Sequence, residues 1–168
     1  RRQAVVLIGV RDVIILSYRR YGRAGGLASF AGTWPFRHVR VAEADLRQAW
    51  WSVTTGQKGP YIRSLFDLPG IRFETIRDTT WLAEDLGLFV QQAHTPGVLG
   101  MILKTQHHGT LLTTSDTLAT AESYQHDLPP GTAAPAVEAA FHATRRRLQA
   151  LAAEYPATLL FRHAASQV

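Results

Sequence analysis

Cysteine is absent from the whole chain. That excludes disulfides, thiolate metal ligands and a cysteine nucleophile. It also fits a reducing compartment, so a cytoplasmic location is expected. No apolar run approaches the roughly 20 residues that span a bilayer, and the N-terminus lacks a signal-peptide pattern. Membrane insertion is therefore not expected. Internal repeats, low-complexity stretches and an interdomain linker are also missing, so residues 1–168 are read as a single domain. The chain does not begin with methionine, and Arg1-Arg2 is read as an internal start.

The 168 residues are 46% hydrophobic and 18% charged, enough apolar material for a core without staples. The net charge is +5, carried by arginine rather than lysine. Such a balance suits a solvated surface, an anionic ligand or nucleic acid. Like charges nowhere form a long run, so an electrostatic tail is excluded.

Strand and helix patterns alternate. Val13-Ile-Ile-Leu16 reads as a buried strand that leads into the polar loop Tyr18 to Arg23. Ala24-Gly-Gly-Leu27 opens a short helix. Arg37 to Val41 is a strand, and Leu46, Trp50 and Val53 set the apolar face of a helix beginning at Glu43. Ile71 to Ile76, Leu86 to Val90 and Met101 to Leu103 are strands, and His107-His-Gly109 turns into Leu111 to Thr113. Val137, Phe141, Thr144, Leu148, Leu151 and Tyr155 form one helical stripe between Pro135 and Pro156. Ala157 to Phe161 follows as a strand ending at His163. The class is mixed α/β.

Polar residues gather just past strand ends, where open α/β sheets usually place their sites. His94, Asp116 and His163 are the candidate ligands, because imidazole and carboxylate suit zinc. From spacing alone the signal is weak, and a lone histidine at a strand end is more often a hydrogen-bonded structural residue. His107 and His108 read as surface histidines, and Arg145-Arg-Arg147 as a solvated helix face. Trp34, Trp50, Trp51 and Trp81 could line a pocket, although helical spacing points Trp50 toward the core. Ser115 lies in no nucleophile-elbow motif, so serine hydrolysis is excluded.

The order of Asp12-Val-Ile-Ile-Leu-Ser17, Ala24-Gly-Gly-Leu-Ala28, Phe66-Asp-Leu-Pro-Gly70, His94-Thr-Pro-Gly97, Leu111-Leu-Thr-Thr-Ser-Asp116 and Leu159-Leu-Phe-Arg-His163 resembles the metallo-β-lactamase superfamily. The resemblance is closest to its acyl-homoserine-lactonase-like branch. It implies an αββα sandwich of which this chain is about the C-terminal three-fifths. It also implies a His-x-His-x-Asp-His metal loop ahead of the Ala-Gly-Gly helix. Here Tyr18, Arg20, Gly22 and Arg23 stand at those four ligand positions. His94, Asp116 and His163 match the later ligands, and Ala119 stands where lactonase-like members carry a tyrosine.

Each metal would keep only two of its ligands, sharing Asp116, whereas a catalytic zinc takes three. Arg20 and Arg23 stay protonated and cannot become ligands. Their charge would repel a cation by about 4 kcal/mol per unit pair at ~4 Å and an effective dielectric of 20. The expectation is a lactonase-like pseudoenzyme without a resident cofactor, binding a small acyl or anionic ligand in the old cleft. One alternative is an active lactone, ester or thioester hydrolase. It would use one zinc rebuilt around His94, Asp116 and His163, or Asp116 as general base. A nucleic-acid-binding module has only the basic pI of about 10.1 behind it and is not expected. A homodimer, a second chain or else a further N-terminal segment is expected to complete the truncated fold.

Overall fold

Val13 to Ile15 are three β-branched residues in succession, and they form β1 (Val13–Ile15). In a computed structural model of the chain, residues 13–17, 24–29, 38–129 and 134–161 are described. They fall into two compact units that divide after Arg77.

In the first unit β1, β2 (His38–Ala42) and β3 (Arg72–Ile76) form a parallel sheet in that order. Ile14 pairs with Val39, and Val39 with Phe73. Ile14, Leu16, Leu27 and Val39 form the core, with Leu68, Ile71 and Phe73 packed against it. Leu27 belongs to a short 3-10 helix, Leu27–Ser29.

Helix α1 (Glu43–Thr54) follows β2 without a linker, as its period foretold. Its core face differs from the expected stripe of Leu46, Trp50 and Val53, which are only half-buried. The buried positions are Asp45, Ala49 and Ser52. Small side chains let the helix approach β2 and β3 closely. The Asp45 carboxylate is satisfied by the Tyr61 hydroxyl, which donates to it at 2.8 Å. Trp50 meets the buried Phe66 edge-on at 5.2 Å instead.

The second unit holds a five-stranded sheet in the order β4 (Thr80–Ala83), β5 (Leu86–Gln91), β6 (Val98–Thr105), β7 (Gly109–Thr113) and β8 (Ala157–Leu160). β4 to β7 are antiparallel neighbours, and β8 joins β7 in parallel. The hairpin between β6 and β7 turns at Gly109, whose φ of +67° favours glycine. His107 and His108 sit exposed on that turn, as expected. Sequence periodicity missed β4 and the short helix α2 (Ala121–Gln125).

Helix α3 (Pro135–Glu154) has Pro135 in its first turn and buries Phe141, Thr144, Leu148 and Leu151, the expected stripe. These residues close on Phe89, Ile102, Leu112 and Leu118 as one core. The arginine triplet is not a plain solvated face. Arg147 pairs with Asp78, and Arg145 donates to the Tyr124 carbonyl at 2.6 Å and faces Asp127 at 3.4 Å. Only Arg146 is exposed. Both bound guanidiniums tie loops to the helix, so the triplet contributes packing as well as charge. No helix among the described residues is long and apolar enough to cross a membrane.

Candidate functional site

The second unit delivers two of the candidate ligands from different strand ends. His94 lies in the loop between β5 and β6, and Asp116 in the turn after β7. The imidazole Nε2 of His94 stands 3.9 Å from Oδ2 of Asp116. That is too long for a direct hydrogen bond but close enough for the two groups to act on one bound atom. The Asp116 side chain is only 8% exposed, and that of His94 30%.

Both loops are fixed by buried hydroxyls. Thr144 on α3 accepts from the Gln92 backbone N–H at 3.1 Å, tying the start of the His94 loop to the helix. Thr95, itself buried, accepts from the Gly97 N–H at 3.3 Å and folds the loop back toward β6. On the other side, the fully buried Thr114 donates from Oγ1 to the Leu118 carbonyl at 2.7 Å and to the Leu160 carbonyl at 3.2 Å. Its N–H reaches the same Leu160 carbonyl at 3.1 Å. One residue thus closes the Asp116 turn and binds it to the end of β8.

The backbone is strained at both places. Ala93 has φ +90° and Ser115 has φ +51°. Each immediately precedes a candidate ligand, and neither is a glycine. A left-handed conformation costs an ordinary residue of order 1–3 kcal/mol and clusters at functional sites. Sequence reasoning had no signal for this, because Asn, Asp and Gly are the usual markers of left-handed backbone.

A cleft of about 310 Å³ opens beside Asp116. Thr117, Thr120 and Ser123 give it hydroxyls, Glu122 a second carboxylate, and Leu128 and Phe141 an apolar wall. Ala119 lies in the lining, so no large side chain fills the space at that position. Thr117 Oγ1 is buried and has no hydrogen-bond partner.

Tyr18, Arg20, Gly22, Arg23 and His163, like Trp34, lie outside the described residues. Among the described residues no group of three or more His, Cys, Asp or Glu converges as a metal site would require. His94 and Asp116 supply two donors against the three that a catalytic zinc takes. The described residues therefore do not by themselves fit a metal.

Neither a protein-family model nor a curated protein matches the chain. Solved structures do. An N-acyl homoserine lactone hydrolase, with the product N-hexanoyl-L-homoserine at its catalytic metal center, matches 93% of this chain and 57% of its own. Its identity is 20% and the TM-score 0.75. A probable metal-dependent hydrolase from Staphylococcus aureus matches 90% of this chain and 54% of its own, at 10% identity and TM-score 0.60. A hydrolase of the beta lactamase superfamily matches 90% and 56%, at 19% identity and TM-score 0.52. The fold is that of the metallo-β-lactamase hydrolases, and its neighbours include the lactonase branch. The chain spans about 57% of the length of the first of these structures.

Proposed function

We propose that this chain is a hydrolase-fold homologue that has lost its dinuclear metal site and binds a small acyl ligand beside Asp116. The observation that carries the reading is the cleft itself. It is lined by the Asp116 carboxylate, by hydroxyls and by the apolar Leu128 and Phe141, which suits a ligand with a polar head and a short aliphatic tail. The substitutions Tyr18, Arg20, Gly22 and Arg23 at the former ligand positions support the loss of metal. The N-hexanoyl-L-homoserine held by a structure of the same fold suggests the ligand chemistry to try first. The described lining carries no basic residue, so an uncharged head group such as the lactone suits it better than an anion. A cytoplasmic location and a homodimer or second chain belong to the same proposal.

The test is a titration of isotope-labelled protein with N-hexanoyl-L-homoserine and its lactone. Saturable shifts at Ala119, Thr120 and Phe141 are expected. No shift at millimolar ligand would sink the reading.

A second reading is favoured by the His94–Asp116 approach and the strained residues before each. In it Asp116 acts as general base on water, or a single metal is rebuilt with His163, and lactones, esters or thioesters are hydrolysed. Turnover that survives intact in Asp116→Asn would remove that role.

A further inference from the structure

Strands β5 and β7 carry His94 and Asp116 on their trailing loops, yet they are not neighbours: β6 lies between them. The ladders register each of them with β6, and no ladder pair joins β5 to β7 directly. We infer that Gln91 is a positioning residue that ties the two strand ends to each other, with Gly100 as the gap through which it reaches.

The side chain of Gln91, the last residue of β5, is 1% exposed. Its Nε2 donates across β6 to the carbonyl of Thr113, the last residue of β7, at 3.4 Å. The path runs over Gly100. A Cβ on Gly100 would stand 2.4 Å from Gln91 Nε2, 2.4 Å from Phe89 Cζ and 2.6 Å from the Thr113 carbonyl oxygen. Any larger residue there would close the crossing. On the far side of the same strand, the Met101 N–H donates to Thr113 Oγ1 at 2.9 Å, so Thr113 is held from both of its polar ends.

The choice of side chain is informative. Gln91 Oε1 is buried and has no hydrogen-bond partner. A leucine or methionine would fill the space without stranding a polar atom. What the amide adds is one directed bond, and its acceptor sits three residues before Asp116, while its donor sits three residues before His94. Two short segments of equal length then lead from the tie to the two site residues. The inference rests on the reading of His94 and Asp116 as one site, but it is tested without ligand or metal.

The experiment compares ¹⁵N signals of the His94 ring in four proteins: the parent chain, Asp116→Asn, Gln91→Met and the double variant. In the parent, Asp116→Asn shifts the His94 ring signals. In the Gln91→Met background the same change is expected to move them by less than half as much. Amide exchange at residues 92–94 and 114–116 should rise about tenfold together, ahead of any change in the strand centres. An equal His94 shift in both backgrounds, or exchange that changes only in step with global unfolding, overturns the inference. Gln91→Met may be replaced by Gln91→Asn, which keeps an amide but falls one methylene short, if the first variant does not fold. In the parent protein the Gln91 carboxamide protons should exchange slowly and show contacts to Gly100. Rapid exchange there would overturn the inference without any variant. Failure of the ligand titration leaves all of these readouts standing, so the two ideas fail separately.

Discussion

His94 Nε2 and Asp116 Oδ2 face each other across 3.9 Å, and each stands one residue after a non-glycine residue with left-handed backbone. Two unrelated loops have therefore accepted strain to present an imidazole and a carboxylate to one point. Four of the ligand positions implied upstream carry Tyr18, Arg20, Gly22 and Arg23.

The strain gives the first prediction. Ala93 has φ +90°, so Ala93→Gly removes a steric cost of about 1–2 kcal/mol and adds back about 0.5–1 kcal/mol of chain entropy. The variant should be as stable as the parent or up to about 1.5 kcal/mol more stable. The control is Ala49→Gly in the buried face of α1, which should lose at least about 1 kcal/mol. Urea unfolding of both decides it. A clear loss in Ala93→Gly would mean that the strain is not there.

Thr114 supplies the second. Its hydroxyl serves the Leu118 and Leu160 carbonyls inside the core. Thr114→Val keeps the shape and the N–H bond to the Leu160 carbonyl but strands the Leu118 carbonyl, at about 1–3 kcal/mol. The Asp116 turn should also lose amide protection. Stability within error of the parent would show that the hydroxyl carries little.

How far the sequence alone could reach varies with the physics of each element. The α3 stripe from Val137 to Tyr155 was legible because large apolar side chains repeat at helical period. The strand-end placement of His94 and Asp116 was legible because strands and polar loops alternate so plainly there. The core face of α1 was not, because Asp45, Ala49 and Ser52 pack by being small or by finding Tyr61, and hydrophobicity cannot weigh either. β4 escaped because Thr80 to Ala83 is short and sits at a sheet edge. Gln91 escaped for a related reason, since its partner is a backbone carbonyl 22 residues away across an intervening strand.

Acid sensitivity is the third prediction. The Arg147 guanidinium, with help from the Thr79 N–H, holds the Asp78 carboxyl below its usual range. Arg77, and then Arg47, do the same for Glu43 in the first unit. A carboxyl depressed in the folded state stabilises above its unfolded value near ~4, and that contribution is lost as pH falls through the folded value. Asp78→Asn should lower Tm slightly at pH 7, since the pair is exposed, and the difference from the parent should vanish in strong acid. A difference that persists unchanged at low pH would assign the effect to packing.

The fourth concerns the cleft. Ala119→Tyr places a large side chain in the lining beside Asp116. It should weaken binding of the uncharged N-hexanoyl-L-homoserine lactone by about tenfold or more, roughly 1.4 kcal/mol, with little change in Tm. Unchanged affinity would move the ligand elsewhere.

The central claim is that the dinuclear site is lost and that the chain holds no metal in its place, and metal content tests it most directly. The protein is purified without chelators or an affinity metal and analysed by plasma mass spectrometry. Near-zero zinc, iron and manganese are expected. About one metal per chain or more would contradict the claim, because His94 and Asp116 would then have recruited the third ligand that a bound zinc requires.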